Sequence, residues 1–147
     1  MLFRSPHLDE KGYGSVIANF IRQARDGDPL TVHGDGLQTR CFTFVTDTVR
    51  GTILAGTKDE ALGSVFNIGS NFEISIADLA RLILDKTKSS SAITNVSYEQ
   101  RYGTSFEDTR RRVPSLDRAR DVLGYSPTID LAEGLDRTLA WWNTVHT

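Results

Sequence analysis

The sequence predicts a mixed α/β domain, and three observations carry that reading. Apolar residues recur at helical spacing in several stretches separated by short β-prone runs. Ser, Asp or Gly residues stand where helix caps belong. The 147 residues, 39% hydrophobic and 24% charged, suffice for one domain with its own core.

The elements follow in order. Gly14 to Arg25 carries Val16, Ile17, Phe20, Ile21 and Ala24 on one helical face, with Ser15 at its start and Gly27 where a C-terminal cap belongs. Leu30 to His33 is a short strand, Gly34-Asp35-Gly36 is turn chemistry, and Gln38 to Val45 reads as a second strand completing a hairpin-like unit. Asp47 caps a helix from Thr48 to about Ala55, and Ser64 to Gly69 is a buried strand. Ser75-Ile76-Ala77-Asp78 opens an amphipathic helix carrying Leu79, Ala80, Ile83 and Leu84. Ser89 to Ser91 is a surface turn, Thr94 to Glu99 a strand, and Gln100 to Val113 a polar loop. Ser115 caps a short helix ending at Gly124, and Asp130-Leu131-Ala132-Glu133 starts a last helix through Trp141 and Trp142. Adjacent helical positions diverge by about 100°, so one tryptophan is core and the other surface or interface.

Composition narrows the function. A net charge of −2 with interspersed signs provides no basic field for nucleic acid or an anionic membrane. A single cysteine, Cys41, excludes an internal disulfide, and histidines at 7, 33 and 146 lack zinc-ligand spacing. MLFRSPHLDEKG has no signal-peptide core and no window approaches a membrane span, so a metal-free, cytoplasmic protein is expected.

Neither glycine pair reads as a cofactor loop. Gly12-Tyr13-Gly14 follows no buried strand and has Ile17 at the third-glycine position; Gly34-Asp35-Gly36 leads into a strand rather than a helix. No phosphate loop, nucleophile elbow, zinc helix or tyrosine–lysine pair occurs, so no residue is assigned to catalysis.

Two cationic features remain. In an extended Gln38–Val45 segment, Arg40 shares a face with Phe42 and Phe44. It either snorkels at the strand's solvated mouth or belongs to an anion site, and spacing leaves both open. Arg110, Arg111 and Arg112 lie in FEDTRRRVP, where Glu107 and Asp108 could simply neutralise a solvated charge run.

Taken together, GSVIANFIRQA, DPLTVHGDGLQTRCFTFVTDTVRG, VFNIGSNFEISIADLA and EDTRRRVPSLDRARDVLGYSPTIDLAEGL resemble the C-terminal half of extended short-chain dehydrogenases acting on nucleotide sugars. These are NAD-dependent epimerases, dehydratases and decarboxylases, and the QTR block and arginine loop look most like UDP-glucuronate decarboxylase. The resemblance runs from about Lys11 to Trp142. It implies a substrate-binding lobe, 1–147, without the dinucleotide-binding Rossmann half, and with an altered junction at 1–12. It implies that Arg40 contacts the diphosphate of a UDP-sugar, that Arg112, or alternatively Arg110, supplies a second phosphate contact, and that Val32 and His33 meet the base. It also implies that NAD is a cofactor of complete members and that this chain alone is catalytically silent. The alternatives are a stand-alone binding or interaction protein, and a half-enzyme completed in trans by a Rossmann chain. Loss of the cofactor lobe implies exposed apolar surface and self-association.

Overall fold

Residues 15–97 and 109–145 are described in a computed structural model of the chain. Their order is α1 (Val16–Asp26), β1 (Leu30–His33), β2 (Thr39–Cys41), α2 (Val45–Thr57), a 3-10 turn (Asp59–Ala61), β3 (Glu73–Ser75), α3 (Ile76–Thr87), β4 (Ile93–Val96), α4 (Asp117–Leu123) and α5 (Leu131–Val145). The mixed α/β class is as the sequence predicts. The altered junction at 1–12, the glycines of Gly12-Tyr13-Gly14, and the acids Glu107 and Asp108 lie outside the described residues.

The periodicity of α1 becomes its packing. Ile17, Phe20, Ile21 and Ala24 are buried, joined by Leu30 and Val32 of β1, Leu79, Ala80 and Ile83 of α3, and Leu135 and Trp142 of α5. Ser75 accepts a hydrogen bond from the Asp78 N–H at 3.0 Å, and Asp130 accepts from the Glu133 N–H at 2.8 Å, so both predicted caps form. Trp142 is 4% exposed and Trp141 45%, the division that their adjacency requires. A second, smaller cluster gathers Ala119, Leu123 and Tyr125 against Leu54, Ala55, Phe66 and Ile68.

The hairpin does not form. β1 pairs with β4 in parallel, while β2 pairs with β3 antiparallel. The reason lies in the turn. Gln38 Nε2 donates to the His33 carbonyl at 2.8 Å, occupying the edge of β1 that a hairpin partner would use. Gln23 closes the same edge further along, its Oε1 accepting from the Thr31 N–H at 3.2 Å. Carbonyls of Gly36 and Gln38 accept from the N–H groups of Ala77 and Ile76, drawing the chain under the start of α3.

Gly36 has φ +74°, and a Cβ there would stand 2.8 Å from Val32 Cγ1 and 3.1 Å from Ala77 Cβ. Gly36→Ala is therefore expected to lose about 2 kcal/mol of stability in urea melts, from left-handed strain plus overpacking.

Five further expectations need correction. β2 ends at Cys41 and α2 begins at Val45, so Arg40, Phe42 and Phe44 do not share one long strand face. Asp47 is not the cap of α2 but a buried residue within its first turn, with Phe44 at the cap position. Ser64 to Gly69 runs without helix or strand pairing, although Phe66 and Ile68 face inward and Val65 and Asn67 outward. β4 covers Ile93–Val96 rather than Thr94 to Glu99, whose last two residues are outside the described set. Before α4, Leu116 takes the cap position, while Ser115 Oγ accepts from the Asp117 N–H at 3.4 Å and donates to the Asp117 carboxylate at 2.8 Å.

Candidate functional site

The arginine segment touches the β2–β3 ladder through one isolated bridge. Thr39 bridges Arg111 in parallel, its N–H donating to the Arg110 carbonyl at 2.8 Å. On the other side Thr39, Arg40 and Cys41 face Ser75, Ile74 and Glu73. Side chains alternate across a sheet, so Thr39, Arg111, Glu73 and Ser75 occupy one face. Arg40 and Ile74 occupy the opposite face, and Arg112 follows the residue bridged to Thr39.

The three consecutive arginines are chemically unequal. Arg110 forms a two-point ion pair with Asp35, at 2.8 and 2.6 Å, which fastens the segment to the glycine turn. Arg111 grips Glu73, its Nε lying 3.0 Å from Oε1 and its Nη2 3.0 Å from Oε2. Glu73 also accepts from the Thr39 hydroxyl. The Arg110 hydrogen bond, followed by the Leu37 N–H, holds the Asp35 carboxyl below its ordinary value. The Thr39 hydroxyl and then Arg111 do the same for Glu73. Both carboxylates therefore stay charged wherever the arginines need them. Arg112 is exposed and, among the described residues, has no hydrogen-bond or ion-pair partner.

Arg40 is half-buried, and its Nη1 donates to the carbonyls of Thr39 and Thr109, both at 2.7 Å. It therefore supports the start of the arginine segment. These carbonyl contacts orient the guanidinium.

Of the two residues expected to meet a base, Val32 is committed elsewhere. Its side chain is 1% exposed inside the core, and its backbone lies in register with Asn95 of β4. His33 is half-buried at the end of β1, next to the glycine turn, and is the member of the pair with access to the surface. Asp35 and Glu73, which anchor the arginines, carried no local signal for that role: their arginine partners lie 75 and 38 positions away.

Among the described residues no group of three His, Cys, Asp or Glu side chains could hold a metal, and no helix is long and apolar enough to cross a membrane.

Residues 3–138 match the family described as GDP-mannose 4,6 dehydratase. The chain is 39% identical over 96% of its length to a UDP-N-acetyl-alpha-D-glucosaminuronate decarboxylase of Bacillus cytotoxicus, covering 44% of that protein. It is 38% identical over 88% of its length to UDP-glucuronic acid decarboxylase 1 of Xenopus tropicalis, covering 29% of it. A UDP-glucuronic acid 4-epimerase of Bacillus cereus, solved with UDP-glucuronic acid and NAD, superposes with a TM-score of 0.79 at 27% identity, over 90% of this chain and 40% of that one. The chain thus spans less than half the length of these relatives.

Proposed function

We propose that this chain, which belongs to the GDP-mannose 4,6-dehydratase family, is the lobe that holds the nucleoside diphosphate of a UDP-sugar in an NAD-dependent decarboxylase, epimerase or dehydratase. The observation that supports this reading is that Asp35 and Glu73 pair with Arg110 and Arg111, while exposed Arg112 follows the residue bridged to Thr39, the neighbour of Arg40. Two guanidinium groups from separate segments can flank a diphosphate, each presenting planar paired donors to phosphate oxygens. His33, at the end of the adjoining strand, is positioned to meet the base.

The Gly34-Asp35-Gly36 turn is closed against Val32 and Ala77 and leads into β2, so its amides do not line the start of a helix. In the complete enzyme NAD would supply hydride exchange at the sugar. The residues of this chain contribute binding: they fix the diphosphate and thereby the position of the sugar attached to it.

Titration calorimetry with UDP, dTDP and NAD tests the proposal. UDP is expected to bind weakly, since half a cleft recovers only part of the binding energy, and NAD is expected to give no saturable heat. Arg112→Ala should weaken UDP binding by about 1.5–3 kcal/mol, roughly tenfold or more, with an unchanged melting temperature. Arg40→Ala should weaken it comparably. NAD binding as tight as that of UDP, or an Arg112→Ala protein with full UDP affinity, would refute the assignment.

A further inference from the structure

We infer that Asp35 and Glu73 are positioning residues: from two segments remote in sequence they clamp Arg110 and Arg111, and thereby fix where Arg112 presents its guanidinium to a phosphate. The inference rests on the nucleotide-binding reading above. It adds the residues that set the geometry of that site without touching the ligand.

The three residues that precede Arg112 are each tied down. The Thr109 carbonyl accepts from Arg40 Nη1 at 2.7 Å, and the Arg110 carbonyl from the Thr39 N–H at 2.8 Å. The Arg110 side chain meets both carboxylate oxygens of Asp35, and that of Arg111 meets both oxygens of Glu73. The two acids are themselves held. Asp35 Oδ1 accepts from the Leu37 N–H at 3.0 Å within the glycine turn, and Glu73 Oε1 accepts from the Thr39 hydroxyl across the β2–β3 pair. Beyond Arg112, the Ser115 carbonyl accepts from Asn67 Nδ2 at 3.1 Å, and the ring of Pro114 fixes one backbone dihedral. Arg112 thus sits in a short segment held on both sides, while its own side chain has no partner among the described residues.

Stability does not account for this arrangement. The paired side chains are largely exposed, 72% for Arg110 and 68% for Arg111, and ion pairs in such surroundings add little to the folding free energy. What two-point pairing supplies is direction, because it fixes the plane of a guanidinium and, through it, the backbone that carries the arginine. A cation held in place before its ligand arrives loses less freedom on binding. In one respect the acids act against the site, since each puts a negative charge close to the segment that is to hold an anion. Coulomb's law predicts that neutralising either acid raises anion affinity, whereas a positioning role predicts a fall. The two effects have opposite signs.

Calorimetric titration of the full chain with UDP decides between them. Glu73→Gln and Asp35→Asn are each expected to weaken UDP binding by about three- to tenfold, with a melting temperature within about two degrees of the native chain's. Hydrogen exchange of the Thr39 amide, which donates to the Arg110 carbonyl, should accelerate in both variants. In an Arg112→Ala background neither substitution should weaken UDP binding further, because the group that the acids orient is gone. Unchanged or tighter UDP binding in the two single variants, or an equal loss with and without the Arg112 side chain, would overturn the inference and leave the nucleotide reading intact. A melting temperature lowered by more than about five degrees would also overturn it, by making the acids structural. No saturable heat from UDP with the native chain would overturn the nucleotide reading itself, and the inference with it.

Discussion

Asp47→Ala is expected to lower stability by about 3–5 kcal/mol, more than any exposed substitution in the chain. The carboxylate is 1% exposed and accepts from the Thr128 N–H at 2.9 Å, the Thr128 hydroxyl at 2.8 Å, the Ile129 N–H at 2.9 Å and Arg50 at 3.0 Å. Removing it leaves two backbone donors and a guanidinium without their acceptor. Burial alone would raise its pKa, but the Ile129, Arg50 and Thr128 hydrogen bonds together outweigh burial and lower it. The sign follows: with the folded pKa depressed, the contribution is complete above the unfolded value of about 3.9 and is lost as pH falls through the folded pKa. Urea melts of the native chain and Asp47→Asn should therefore differ at pH 7 and converge under strong acid. A constant difference down to acid would show that the carboxylate's charge contributes nothing.

Gly51→Ala is expected to cost about 3 kcal/mol. A Cβ at this position would meet Ile68 Cγ2 at 2.4 Å and the Tyr125 ring at 2.9 and 3.0 Å. Tyr125 is fully buried and tied by its hydroxyl to the Gly69 carbonyl, and Arg50 lies 5.2 Å over its ring. The ring cannot withdraw without breaking that bond, so the clash becomes overpacking in the smaller cluster. A thermal melt shifted by less than a degree would mean that Ile68 yields and that the cluster is looser than its distances indicate.

The contrast between these residues shows what the sequence made legible. The helices α1, α3 and α5 could be read because their apolar spacing and caps act within a few positions. Asp47 looked like a helix cap because its partners at 128 and 129 are invisible to local pattern, and a caps-rich residue beside a helix start is ambiguous by nature. The supposed hairpin failed for a similar reason. Leu30 to His33 has strand character, but its partner is β4, reached across α3, and Gln38 closes the edge that the shorter connection would need. For Ser64 to Gly69 the pattern of a strand is present while its pairing is not. At the site, the resemblance pointed to Arg40 and to Arg112 or Arg110, but only the ion pairs of Arg110 with Asp35 and of Arg111 with Glu73 distinguish Arg112 from its neighbours.

The reach of Asp47 also sets a timetable for synthesis. Its partners lie 81 and 82 residues downstream, and the larger core waits on Leu135 and Trp142 of the last helix. At roughly 5–20 residues per second, about 4–16 s separate the emergence of the carboxylate from that of the amides that satisfy it. During that interval α2 has no anchor at its first turn, and the apolar groups of the nascent chain are open to chaperones. Premature termination before Thr128 would therefore not yield a shortened version of this fold: it would release a chain with both its buried carboxylate and its principal core unfinished.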